Sequence, residues 1–133
     1  MIRGFAHLCF TVSDLEASLR FYRDTLGLRE AFDFINEQGE LYGVYLHAGG
    51  RNFIELFEGQ LADKASGQSY EHFCLEVDDI RAAADALNAA GIELGEIRRG
   101  MDHSWQVWLK DPDGNEIELH EYTDESWQTP HLA

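Results

Sequence analysis

Basic residues, cysteines and long apolar runs are all scarce in this chain, and each scarcity narrows what the protein does. Lysine and arginine number 10 against 25 acidic residues, giving a net charge of −15 and a pI near 4.5. Polyanions draw their affinity mainly from cationic side chains on phosphates, so nucleic acid is not expected as a partner. No apolar run approaches the length of about 18 residues that a membrane span needs. The opening Met1-Ile2-Arg3-Gly4-Phe5 has no apolar stretch of the signal-peptide kind. A cytoplasmic protein with no membrane association is therefore expected. The two cysteines, Cys9 and Cys74, are expected as reduced, buried thiols, with an intrachain disulfide as the lesser alternative.

What the chain does have is a repeat. His7-Leu-Cys-Phe-Thr-Val-Ser-Asp-Leu-Glu-Ala17 is closely similar to His72-Phe-Cys-Leu-Glu-Val-Asp-Asp-Ile-Arg-Ala82. Each copy runs on to the same tripeptide, Ile54-Glu55-Leu56 in the first and Ile117-Glu118-Leu119 in the second. The 133 residues, 44% of them hydrophobic and 12% aromatic, suffice for one domain with a real core. Half that length, roughly 60 residues, is only marginally stable alone, so the copies are expected to need each other or a second chain.

Periodicity orders the elements. Residues 5–12 alternate as a strand, with Leu8, Phe10 and Val12 on one face and His7, Cys9 and Thr11 on the other. Ser13-Asp-Leu-Glu16 fits a capping box, and Leu15, Leu19, Tyr22 and Leu26 recur at helical spacing up to Gly27. Strands follow at about 30–36, 41–48 and 52–57. The second copy repeats this with a strand at 70–77, a helix from about Asp79 to Ala90, and strands near 93–98, 104–109 and 115–121. Asp111-Pro-Asp-Gly114 makes the last turn. The expected architecture is α+β: two βαβββ modules forming cupped mixed sheets, with helices on the outer faces. Module 1 covers about 5–58, a polar linker 59–69, module 2 about 70–122. Residues 123–133 are expected as a tail, mobile or laid on a partner.

Alternation places the repeat's polar residues. Ile54 and Leu56 share a face from which Glu55 points away, as Glu118 does from Ile117 and Leu119. His7, Glu55, His72 and Glu118 thus all lie opposite the apolar stripes, provided the register does not slip by one. Two neutral imidazoles and two carboxylates suit a divalent cation, Ni²⁺, Co²⁺ or Zn²⁺ ahead of Fe²⁺ or Mn²⁺, and the two acids cancel its charge. His120, on the same face as Glu118, is the main rival ligand.

In these motifs the chain resembles the vicinal oxygen chelate superfamily and, within it, short bacterial glyoxalase I (lactoylglutathione lyase). The resemblance spans about residues 5–122. It rests on His7 with Val12-x-Asp14-Leu15, Phe21-Tyr22-x-x-Thr25-Leu26-Gly27, Phe53-Ile-Glu55-Leu, His72 with Val77-x-Asp79, and Asp111-Pro-Asp-Gly114 before Ile117-Glu118-Leu. It implies paired βαβββ modules around one metal held by His7, Glu55, His72 and Glu118, in a homodimer with sites at the interface. The chain departs from glyoxalase I at two positions. Thr11 and Gly59 stand where that family has an arginine and an asparagine for the glutathione carboxylates, and neither can make those contacts. Relatives that epimerise methylmalonyl-CoA have glutamine where this chain has Glu55.

The chemistry implied is proton abstraction next to a metal-chelated carbonyl, through an enediolate, on a small carbonyl substrate. Glu118 is the expected catalytic base, with Glu55 placed to work on the opposite face. Two opposed bases would instead suit a metal-dependent epimerase. A non-catalytic, bleomycin-resistance-like binding protein needs only an apolar cleft, for which Phe53, Phe57, Trp105 and Trp108 are available. Lesser candidates for substrate contact are His103, Gln106, Arg98, Arg99, Glu76, Cys9 and Cys74.

Overall fold

The structure is a computed structural model and describes residues 1–63, 67 and 69–132. Part of the expected linker, residues 64–66 and 68, lies outside them, as does residue 133. The chain divides into two compact units, Met1–Ala65 and Ser66–Ala133, which are described separately.

In unit 1 the elements are β1 (His7–Val12), α1 (Leu15–Leu19), a π-helical turn (Arg20–Thr25), β2 (Arg29–Ile35), β3 (Leu41–His47) and β4 (Phe53–Glu58). The sheet order is β1-β4-β3-β2, with β1 parallel to β4 and the other pairs antiparallel. Val12, Val44, Leu46, Ile54 and Leu56, each at most 2% exposed, form the core with Leu15, Leu19, Phe21 and Tyr22 of the helical segment. This hydrophobic burial commits one face of the sheet to the helix and leaves the other free of it.

Unit 2 follows the same plan: β5 (Phe73–Glu76), α2 (Ile80–Ala89), β6 (Arg98–Arg99), β7 (Trp105–Lys110) and β8 (Glu116–Glu121), in sheet order β5-β8-β7-β6. Ile80, Ala84 and Leu87 of α2 face Val107, Leu109, Ile117 and Leu119. The two mixed four-stranded sheets, each with a helix against it, make the fold α+β, and no helix of the described residues is long and apolar enough to cross a membrane.

Several local expectations change. The cap of α1 is Asp14, which accepts from the Ala17 amide at 2.9 Å, rather than Ser13. The helix does not stay α-helical to Leu26. It widens, with the Leu26 amide donating to the Phe21 carbonyl, and the wide turn lets the adjacent Phe21 and Tyr22 both be buried. Gly27 then takes the left-handed conformation, at φ +80°, as Gly91 does after α2 at +81°. β5 begins one residue after His72, because its pairing with β8 begins at Phe73 opposite Ile117. The strand expected at 93–98 shrinks to Arg98–Arg99. Upstream, only the Gly95 amide still bonds toward β7, at the Trp108 carbonyl.

Residues 123–132 are not a loose tail. The Trp127 amide donates to the Asp102 carbonyl at 3.0 Å, and the Ser126 hydroxyl, on a residue only 2% exposed, meets Ser104 Oγ at 2.8 Å. A hydrogen-bonding opportunity within the unit, spread over small polar residues, replaces the absent apolar anchor.

Both modules also share a clamp. Glu58, at the end of β4, accepts from the Leu15 amide at the start of α1 at 2.9 Å. Glu121, at the end of β8, accepts from the Ile80 amide at the start of α2 at 2.7 Å. Each carboxylate lies three residues beyond Glu55 or Glu118 and satisfies an amide that the first helical turn leaves free. Helix and last strand are thereby fixed in one register.

Candidate metal centre

In unit 1, β1 and β4 run side by side with Cys9 opposite Glu55, and His7 one turn of the pleat away on the same face. His7 Nε2 lies 3.2 Å from Glu55 Oε1. The Tyr45 ring, in register with Glu55 on β3, meets the edge of the His7 ring at a centroid distance of 5.9 Å.

Unit 2 repeats this. His72 Nε2 lies 3.3 Å from Glu118 Oε2, and Trp108, in register with Glu118 on β7, meets the His72 ring edge-on at 4.6 Å. Alternation along single strands does not reveal the aromatic ring beside the imidazole in each module. The signal was there: the residue paired with the repeated glutamate is aromatic in both copies.

The pair in unit 2 is more deeply set. Glu118 and His120 are each 7% exposed, and Glu118 Oε1 meets His120 Nδ1 at 2.9 Å, so its carboxylate lies between two imidazoles. His120 Nε2 is buried without a hydrogen-bond partner, and Asp102 Oδ2 is 3.7 Å away. Gln128 donates to Asp102 Oδ2 at 2.6 Å and the Ser104 amide to its Oδ1 at 3.2 Å. These donors, the Gln128 amide first, hold the Asp102 carboxyl below its ordinary range. Cys74, Glu118 and His120 also bring three donor atoms within 4.8 Å of one another.

The donor set suits a divalent cation. Two ligands about 2.1 Å from one ion are about 3.0 Å apart at a right angle and about 3.4 Å apart at the tetrahedral angle. The His–Glu separations of 3.2 and 3.3 Å fall between those limits. The orphaned imidazole nitrogen of His120 marks a further polar position short of a partner.

Other expected positions behave differently. Cys9 and Cys74 are free thiols but exposed rather than buried, because they lie on the sheet face away from the helix. Burial by the surrounding atoms nonetheless pushes the Cys74 thiol up to about 12, with Glu118 and Glu76 adding to the rise. Trp105 lies on the helix side, under the Arg81 guanidinium at 5.3 Å, and does not line a cleft face. Arg98 is paired with Glu96 at 2.8 Å and Arg99 with Glu125, so neither is a free anion clamp. His103 has a positive φ of 67° in the turn before β7, and its carbonyl accepts from Thr123. Gln106 and Glu76 flank His120 in register on β7 and β5.

The sequence profile of the Glyoxalase/Bleomycin resistance protein/Dioxygenase superfamily matches residues 4–119, and the chain belongs to that superfamily. It is 32% identical over 123 residues to a lactoylglutathione lyase of Haemophilus influenzae, covering 86% of this chain and 90% of that one. It is also 28% identical to the metallothiol transferase FosB of Staphylococcus epidermidis, over 90% of this chain and 82% of the relative. Among solved structures, the lactoylglutathione lyase from Agrobacterium tumefaciens matches with a TM-score of 0.70 at 25% identity, over 95% of this chain and 97% of that one. These relatives are enzymes, a lyase and a transferase.

Proposed function

We propose that the protein is a metal-dependent lyase or isomerase of the glyoxalase I type acting on a small carbonyl compound. The two units act as one domain, in a homodimer, and His7, Glu55, His72 and Glu118 hold one divalent ion per site. The observation that carries this reading is the His–Glu pairing at equivalent positions of the two units, at 3.2 Å in unit 1 and 3.3 Å in unit 2. The similarity to lactoylglutathione lyases supports it. Ni²⁺, Co²⁺ or Zn²⁺ fits the donors best, with Fe²⁺ and Mn²⁺ next.

A bound dication supplies Lewis acidity, which acidifies the carbon-bound proton beside a chelated carbonyl. The residues of the chain do the rest. His7 and His72 are oriented by the Tyr45 and Trp108 rings packed against them. Glu118, loosened from the ion, would take the proton with the oxygen that faces His72 and return it to the neighbouring carbon. His120 holds the other oxygen so that the carboxylate stays aimed. Glu55 completes the ligand set and is placed to act on the opposite face, which is the arrangement an epimerase would use. Thr11 and Gly59 argue against glutathione as the thiol carrier.

The exposed aromatic residues of unit 1 favour one second reading, a binding protein without catalysis. Metal analysis followed by proton exchange in D₂O separates the two. The enzyme reading predicts bound metal and solvent deuterium entering a carbonyl compound at the carbon next to the carbonyl. Metal-free protein that exchanges nothing would favour the binding module.

A further inference from the structure

We infer that the carbonyl compound taken by this site carries an uncharged planar aromatic ring next to its chelating oxygens. The inference deepens the metal-centred reading and rests on it only for where the carbonyl lies. Register across the unit 1 sheet sets out the face that carries the His7–Glu55 pair as three rows. One reads His7, Phe53, His47, Arg29; the next Cys9, Glu55, Tyr45, Phe32; the third Thr11, Phe57, Gly43, Phe34.

Rings pave this face without a break. Tyr45 lies 5.1 Å from Phe53 and stacks on Phe32 at 4.7 Å with an interplanar angle of 15°. Phe32 meets Phe34 at 5.4 Å, and Phe34 meets Phe57 at 4.9 Å. The Phe57 ring crosses the strand to do so, and it lies over Gly43. A Cβ there would stand 2.4 Å from the ring, so the missing side chain makes the pavement possible. Phe32 remains 50% exposed within this continuous patch of rings, and contiguous apolar patches mark binding surfaces.

Position and charge identify the occupant. The pavement begins beside the His7–Glu55 pair and extends toward β2 in steps of one strand spacing, about 4.8 Å. A molecule whose oxygens meet the pair and whose remainder extends over β3 lays its neighbouring atoms on the rings. Stacking rewards a flat π-system there over a saturated group of equal size. The row that ends at Thr11 offers no cation, and the one arginine in register, Arg29, stands at the far corner opposite His47. An anionic tail of the glutathione type finds no partner among the rings, whereas a neutral ring does.

The test uses metal-free protein, so that its failure is distinct from failure of the metal-centred reading. Equilibrium dialysis compares acetophenone with cyclohexyl methyl ketone, which match in size and carbonyl and differ in aromaticity. Acetophenone is expected to bind about tenfold tighter, the gain of one or two stacked ring contacts. Phe34→Leu with Phe57→Leu, and separately Tyr45→Leu, are expected to abolish that preference while keeping apolar area. Leucine at these sheet positions leaves the helix-side core untouched, and Tyr45→Leu serves if the double variant does not fold. Equal binding of the two ketones, or a preference that survives both variants, overturns the inference. So does a lack of acetophenone binding coupled to dissociation of an oligomer in the leucine variants, which would assign the face to a second copy of the chain.

Discussion

The two modules share a backbone plan down to the glutamate clamp on each helix, yet the faces they turn away from those helices are chemically opposite. Beside the His7–Glu55 pair, the row that starts at Thr11 continues through Phe57 and Gly43 to Phe34. Its counterpart in unit 2 runs Glu76, His120, Gln106, Arg98. Only the neighbouring row keeps its character, cysteine and glutamate with an aromatic: Cys9, Glu55, Tyr45 against Cys74, Glu118, Trp108. The lesson is that the duplicated scaffold fixes the His–Glu pair and its aromatic neighbour, while the rest of each face is free to specialise. The unit 1 face presents stacked rings, and the unit 2 face holds the Glu118 carboxylate against His120.

The largest effect expected concerns that division of labour. Glu118→Gln should keep metal but lower turnover by about 10²–10⁴-fold, the usual worth of a general base. Glu55→Gln should weaken metal binding more than it lowers turnover at saturating metal. Steady-state kinetics with metal analysis of both variants checks the asymmetry, and equal losses would put the base on neither side in particular.

Next in size is Gly43→Ala. Its Cβ would overlap the Phe57 ring and approach the Leu56 carbonyl at 2.9 Å, so a loss of about 1–3 kcal/mol is expected from overpacking. Gln106, the equivalent position in unit 2, already carries a side chain, and Gln106→Ala should cost far less. Chemical denaturation of the two variants measures the contrast.

The clamps should be symmetric where the faces are not. Glu58→Gln and Glu121→Gln are each expected to cost about 1 kcal/mol, seen as matched falls in the unfolding midpoint. The smallest effect is specific to unit 2. The Asp102 carboxyl is held low chiefly by the Gln128 amide, so it stabilises the fold fully above its ordinary value of about 3.9. That contribution is lost as the pH falls through the lower folded value. Asp102→Asn should therefore cost about 1 kcal/mol at pH 7, and the gap from the parent protein should close in strong acid, as followed by urea titration across pH.

Much of this was legible from period and repetition. Alternation in Phe53-Ile-Glu-Leu-Phe57 put Ile54 and Leu56 in the core and Glu55 opposite, which the structure repeats. What alternation cannot carry is register between strands distant in sequence. The pairing of Tyr45 with Glu55, the row Thr11–Phe57–Gly43–Phe34 and the helix-side placement of Trp105 became visible only once strands were aligned. Contacts made by single polar side chains were equally hidden. Residues 123–132 offer no apolar period, and their attachment depends on Ser126, Gln128 and Trp127 finding Ser104 and Asp102. The π-helical turn is not legible because Leu15, Leu19, Tyr22 and Leu26 fit an α-helix, and only the need to bury Phe21 as well breaks that pattern.

If both His–Glu pairs serve one cation, loss of either histidine should release it. Metal content after loading with Ni²⁺ or Zn²⁺ and exhaustive dialysis tests this most directly, in the parent protein, His7→Ala, His72→Ala and His120→Ala. Stoichiometric metal is expected in the parent protein and in His120→Ala, and its loss in both His7→Ala and His72→Ala. Full retention in His7→Ala with loss in His120→Ala would contradict this, and would move the ion to the cluster of Cys74, Glu118 and His120 in unit 2 alone.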